Sequence, residues 1–293
     1  MYLVDFIYDG LKLSDFGCMV GSAVTANSDS VNMGSVIKLD TVINHGSYRS
    51  EIVNADYPEM YTTTFDIFKT PCGNGYDDVF TDKEVTWFMR WLNRKEYKKF
   101  TPIYDKANDY YKIFFMGSFT ECKAISIQGQ IYGFTLTFIS NSPFAYLDYT
   151  PNSFDVTVDS DTFNIVNPYT KQSETITGGS FVIYDESEEL GSVYPNSFVI
   201  KVLQAGRLVI WNEFDKTTRY TEVTNCVANE TITFDCIYKV ITSDKTHSTL
   251  YNDFNYVFPR LNNEFYEGEN IIHVSLNSQV TIDYNPIRKV GIL

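Results

Sequence analysis

The chain has 293 residues, 44% hydrophobic and 16% aromatic, with 22 Tyr and 22 Phe against 3 Trp; this excludes general disorder and suits two ordered domains. Its formal net charge is −14, divided as 13 basic and 17 acidic residues up to Leu147 and 10 and 20 beyond it, which excludes the basic footprint of a phosphate-gripping nucleic-acid binder. No run approaches the roughly 20 apolar residues of a membrane-spanning helix, so no membrane insertion is expected.

The opening MYLVDFIYDGLKL carries acids early and lacks the apolar stretch of a secretory signal. Without such a signal the acceptor motif Asn229-Glu230-Thr231 is not read as a glycosylation site. The five cysteines (Cys18, Cys72, Cys122, Cys226, Cys236) are odd in number and include no CxxC pair, the pattern of reduced, packed thiols.

In chain order, YLVDFIY and LKLSDFG flank Asp9-Gly10, a hairpin-type turn signal. A small, polar segment follows from Gly21 to Gly34, of a length usually reserved for functional loops. Strands are predicted over SVIKLDTVINH, SEIVNA and MYTTTFDIFK, closed by the turn cluster Pro71, Gly73 and Gly75. A helix over about 82–100 comes next. Thr81 and Glu84 have capping-box spacing, Val85, Phe88, Trp91 and Leu92 make an apolar stripe, and Arg94, Lys95, Lys98 and Lys99 suit its negative end before Pro102. KIFFMG, ECKAISIQ and QIYGFTLTF then read as strands, the last with Tyr132, Phe134, Leu136 and Phe138 on one face. Ser142-Pro143 and FAYLDYTPNS mark a junction, with a boundary near Asp148.

The second half is strand after strand. Phe154, Val156 and Val158 alternate with polar residues; SFVIYD, SFVIKVLQAG, RLVIWNEF and TRYTEV follow; then Ile232, Phe234, Cys236 and Tyr238 alternate. NIIHVSL and QVTIDYNP finish the chain. With no helical stretch, residues 148–293 are expected to form a β-sandwich, and residues 1–147 a β-barrel or sandwich with one α-helix. The fold class is thus mainly β.

Chemistry leaves little trace. There is no GxSxG, Walker loop, GxGxxG after a first strand, or HExxH. His45, His247 and His273 lie far apart, none with a second ligand at metal spacing. The acidic run Asp185-Glu186-Ser187-Glu188-Glu189 and the pair Asp159 and Asp161 lack a calcium-ligand ladder and read as solvated loops. Trp211 is a candidate sugar-stacking residue that reads equally as core. No catalytic, cofactor-binding or metal-binding residue is expected, and no cofactor; paired acids for glycoside cleavage stay open.

Several blocks together resemble the phage distal tail protein family of long non-contractile tails. They are YDGLKLSDFG, the helix with Trp87-Phe88 and Trp91-Leu92, GFTLTFISNSPFAYLD, NETITFDCIYKVI leading into an aspartate turn, and a closing pattern with Gly268-Glu269-Asn270 and Tyr284-Asn285-Pro286. The resemblance implies a tail-tube-like amino-terminal domain that builds a homohexameric ring at the tail tip. It also implies a galectin-like or carbohydrate-module-like second domain projecting outward, and no catalysis. The implied partners are the tail tube protein, the tail-associated lysin or hub protein and, in many phages, receptor-binding proteins. The implied place is the virion tail tip, assembled in the host cytoplasm, with DNA passing the channel unspecifically. Only Val166-Asn167-Pro168-Tyr169 echoes a galectin sugar motif. Alternatives of other kinds are a carbohydrate-binding module acting through residues 148–293, a glycan-cleaving tail enzyme, and the matching part of a tail-like bacteriocin.

Overall fold

A computed structural model describes residues 3–21, 34, 36–43, 45–46, 49–70, 78–105, 112–245, 247–264 and 266–290. The expected turn cluster Pro71, Gly73 and Gly75, the cysteine at 72, and all of the polar segment except Gly21 and Gly34 lie outside the described residues. Residues up to Leu147, with the chain from Arg288 onward, form one compact unit, and Asp148–Ile287 form another.

The first unit contains β1 (Leu3–Tyr8), β2 (Leu11–Lys12), β3 (Cys18–Gly21), β4 (Lys38–Ile43), β5 (Ser50–Asp56), β6 (Thr62–Lys69), α1 (Asp82–Leu92), β7 (Lys98–Tyr104), β8 (Ile113–Ile127), β9 (Gln130–Ser140) and β10 (Ala145–Leu147). Its main sheet runs β2-β1-β7-β8-β9-β6-β3, antiparallel throughout, and β3 curls back beside β1. Asp9 and Gly10 both take positive φ (50° and 79°), which makes the tight β1–β2 turn possible. The expected strand through LKLSDFG is cut short: Leu13–Phe16 form a 3-10 turn ended by left-handed Gly17, because Leu13 must bury in the core. KIFFMG and ECKAISIQ are one strand, β8, which absorbs a register shift between Phe119 and Glu121.

The helix forms for local reasons. Glu84 N–H donates to Thr81 Oγ1, and the Glu84 carboxylate accepts from the Thr81 N–H at 2.7 Å, a complete capping box. Its buried face, Phe88, Trp91 and Leu92, packs on a core that includes Phe6, Tyr8, Phe100, Phe119, Phe134 and Phe138. Burial of each such side chain contributes about 1.5–3 kcal/mol. The helix stops at Leu92, short of the expected end near residue 100. Phe100 is fully buried in β7, and that demand overrides the helix-compatible run of cations. Arg94 and Lys98 therefore meet Asp9 rather than a helix terminus, and Pro102 sits within a strand, opposite Phe6.

The second unit contains β11 (Asn152–Val156), β12 (Thr162–Val166), β13 (Ser173–Thr177), β14 (Gly179–Tyr184), β15 (Ser192–Val193), β16 (Ser197–Val202), β17 (Gly206–Asn212), β18 (Thr221–Cys226), β19 (Glu230–Asp235), β20 (Val240–Ser243), α2 (Leu250–Asp253), β21 (Leu261–Asn262), β22 (Glu269–Val274) and β23 (Ser278–Asp283). Two antiparallel sheets, β11-β23-β16-β19-β20 and β14-β22-β17-β18, share one apolar core between them. Alternation places the side chains: Phe198, Ile200 and Val202 point in from one sheet, Leu208 and Ile210 from the other. The unit is a β-sandwich. It departs from the all-strand expectation at α2, and at Tyr238, which leaves the alternating pattern for an exposed turn. There Asp235 Oδ1 accepts from the N–H groups of Ile237 and Tyr238 at 3.1 and 2.8 Å.

Candidate functional site

One element lacks a core of its own. Among the described residues β4 and β5 pair only with each other, and every residue of both strands is exposed. Their register puts Leu39, Thr41 and Ile43 on one face with Ala55, Ile52 and Ser50, and puts Lys38, Asp40 and Val42 on the other with Asp56, Asn54 and Glu51. The register shifts between Asp40 and Thr41, leaving Val53 as the extra residue beside the apolar face. Leu39 is 51% exposed, Ile43 61%, Ile52 62% and Val53 67%. A two-stranded ribbon is marginal in water, and this one presents an aliphatic face that no core of the described residues covers.

The sequence identified these strands without identifying this property. Alternation in KLDTVI and SEIVNA reports that one face is apolar; it does not report that the face has no partner within the chain.

The groups singled out for chemistry are held by structure instead. His247 is almost wholly buried, with Nδ1 2.8 Å from Glu230 Oε1 and Nε2 3.0 Å from Asp253 Oδ2. Burial pulls its pKa down, but the bonds to the two carboxylates outweigh that and raise it. This clamp, with Glu230 fully buried and also accepting from Ser243 and from the Val227 N–H, ties β19 to the chain entering α2. His273 lies 2.8 Å from Glu213, and its ring sits beside the stacked pair of Phe163 and Trp211, tilted to the first and stacked with the second. His45 sits in the turn region between β4 and β5. The three histidines are not brought together, and among the described residues no group of three or more His, Cys, Asp or Glu is placed to hold a metal ion.

Trp211 packs against the cluster of Phe163, Ile165, Val209 and Tyr220, under the β12–β13 hairpin, rather than standing open as a sugar platform. Asn167 caps the turn of that hairpin, its Oδ1 accepting from the N–H groups of Tyr169 and Thr170. The acidic run is not uniformly solvated: Asp185 is buried and accepts from the Ser187 N–H at 3.0 Å, while Glu186 and Glu188 are exposed. Asp159 accepts from the Asp161 N–H in an exposed turn. Burial pushes the thiols of Cys18, Cys226 and Cys236 up to about 12 and that of Cys122 up to about 11, so none has the depressed pKa of a reactive cysteine.

The closing motif has a physical basis. Asn270 is fully buried: its Nδ2 donates to the carbonyls of Asn262 and Gly268, while its Oδ1 accepts from the Asn262 N–H and from Asn212 Nδ2. Gly268 has φ +82°, and a Cβ there would fall 2.1 Å from the Asp185 carbonyl oxygen. Tyr284 O–H donates to the Tyr184 carbonyl at 2.5 Å. Gly268, Asn270 and Tyr284 are therefore framework residues of the sandwich.

Residues 1–142 match the family model described as phage tail protein N-terminal domain, and residues 163–284 match the one described as phage tail C-terminal domain. No curated protein sequence matches. Among solved structures, the chain is similar to the SPP1 Dit protein, described as a paradigm of the hub adsorption apparatus in phages infecting Gram-positive hosts. That likeness has 11% identity and a TM-score of 0.60, and covers 97% of this chain and 99% of that one. It is also similar to a chain of the phage P2 baseplate in its calcium-activated conformation, at 8% identity and a TM-score of 0.49, over 99% of this chain and 100% of that one. With both its halves matched in order, this chain belongs to the phage tail proteins, and its mainly β fold is that of the phage distal tail protein.

Proposed function

We propose that copies of this chain close into a hexameric ring that serves as the structural hub of a phage tail tip. The β4–β5 arm is the observation that carries the reading. A closed ring needs a heterologous contact, one patch on each copy meeting a different patch on the next. An amphipathic ribbon with exposed Leu39, Ile43, Ile52 and Val53 is suited to be one of those patches. The aromatics, by contrast, are mostly spent on the two cores.

In this reading residues 1–147 build the ring and residues 148–293 project from it. The tail tube docks on one side of the ring and the tail-associated hub protein on the other, with receptor-binding proteins attached. DNA passes through the channel without sequence-specific contact, and the role is non-catalytic. The hub description of the SPP1 relative supports this assignment.

Light scattering on the purified full chain tests it. A mass near six times 33.7 kDa is expected, and a single-chain mass at every concentration overturns the ring.

A further inference from the structure

One side of the β-sandwich is closed by a short plug. β20 ends one sheet and β18 the other, and α2 packs against both. Leu250, Phe254 and Phe258 of this segment are set into the shared core. The polar part of the closure is one cluster around His247, whose Nδ1 lies 2.8 Å from Glu230 Oε1 on β19 and whose Nε2 lies 3.0 Å from Asp253 Oδ2 on α2. A neutral imidazole has a single N–H, so only the doubly protonated ring can donate to both carboxylates. β20 and β18 add the hydroxyls of Ser243 and Thr224, which donate to Glu230 and Asp253 at 2.7 and 2.8 Å. Cys226, near both carboxylates, is pushed up to about 12 by burial and stays a neutral thiol. Asp244 and Lys245, on the approach from β20, are exposed, and Asp244 accepts from the Thr231 N–H.

We propose that His247 is a pH-operated latch: when the ring loses its second proton, the side of the sandwich opens at α2. The geometry names the line along which it parts. The Glu230 carboxylate is 0% exposed and also accepts from the Val227 N–H at 2.9 Å, so the remaining ring proton stays on Nδ1, where that buried charge needs it. The Asp253 carboxylate is 12% exposed and can turn to water, while keeping its bonds from Thr224 and Asn225 of β18. His247 thus stays with the five-stranded sheet and Asp253 with the four-stranded one. The bond from the Leu250 N–H to the His247 carbonyl, 3.1 Å, spans that split. Opening bares Leu250 and Phe254 together with the edges of β18 and β20. The latch lies wholly within the second unit and is independent of the ring.

Amide hydrogen exchange on the full chain at about pH 6 and about pH 9, with intrinsic rates divided out, tests the latch. Protection of residues 247–254 should fall about tenfold or more between the two, the effect of losing one charge-assisted bond. Residues 197–202, in β16 at the centre of the five-stranded sheet, should keep theirs. Asp253→Asn places an amide where it can donate to the unprotonated Nε2. In that variant the pH effect on residues 247–254 should shrink to less than about threefold. Equal protection of 247–254 at both pH values in the native chain overturns the latch, and so does a loss shared equally by 197–202. An undiminished pH effect in Asp253→Asn overturns it as well. Should that variant misfold, His247→Gln replaces it: a flat profile is expected, and a fall like that of the native chain overturns the proposal.

Discussion

The indole N–H of Trp91 donates to the backbone carbonyl of Tyr8 at 2.9 Å, both residues being fully buried. This one bond ties the helix to the first strand, 83 residues apart, and fixes which way α1 lies on the sheet. Trp91→Phe keeps an aromatic ring but leaves that carbonyl without its partner and part of the indole volume empty. The expected loss is about 2–3 kcal/mol, read as a lower urea midpoint at unchanged slope. Thr81→Ala removes only the cap and should cost about 1 kcal/mol in the same measurement.

Gly268 permits no side chain. Its φ of +82° and the Asp185 carbonyl oxygen 2.1 Å from any Cβ mean that Gly268→Ala must displace backbone. The turn it would displace is the one that Asn270 holds together through Asn262 and Asn212. Gly268→Ala should cost at least about 2 kcal/mol, and Asn270→Ala, which strands several buried polar groups, a similar amount or more. Thermal denaturation of the two variants checks this, with the double variant falling short of the sum because both act on one turn.

Where local chemistry decides, the sequence was readable. Thr81 and Glu84 announce the start of α1 because a capping box is made by residues three apart. The alternation of Ile232 and Phe234 reports a half-buried strand for the same reason. The end of α1 was not readable, since nothing within Arg94 to Lys99 says that Phe100 is claimed by β7. The Gly268-Glu269-Asn270 block stood out as a pattern, yet its cause lies in Asp185 and Asn212, which are distant in the chain. The exposure of β4 and β5 was least visible of all, because alternation reports an apolar face and not whether the fold covers it.

Glu230 and Asp253 hold His247 between them, and the sign of the pH effect follows. The folded pKa of His247 is raised, burial being outweighed by the two carboxylates. Its stabilising contribution is therefore complete below the unfolded value of about 6.5 and is lost as pH rises through the higher folded value. The carboxylates act at the other end. The pKa of Glu230 is lowered, burial being outweighed by its bonds to Ser243, Val227 and His247, and that of Asp253 is lowered by its bonds to Thr249, His247 and Thr224. Their contribution is present above their unfolded values and fades as pH falls through the folded ones. Urea midpoints taken across a pH series should thus decline on the alkaline side in the native chain. His247→Gln should remove that decline, while retaining the acid limb set by the remaining carboxylates. A native profile that keeps rising above neutrality would show that the clamp is not held by charge.

The arm should behave as a detachable feature. Leu39, Ile43 and Ile52 belong to neither core and are more than half exposed, so replacing them leaves both cores untouched. Leu39→Asp and Ile52→Asp should therefore leave the melting temperature nearly unchanged, within the roughly 0.5 kcal/mol typical of surface substitutions. Self-association is another matter, because a carboxylate carried into an apolar contact must be desolvated without a partner there. Both variants should run as single chains in light scattering under conditions where the native chain assembles. Ile52→Val, which keeps the face apolar, should assemble normally. Loss of assembly accompanied by an equal loss of thermal stability would instead place the arm inside the fold of its own copy, and the ribbon would then owe its exposed aliphatic face to something other than a neighbour.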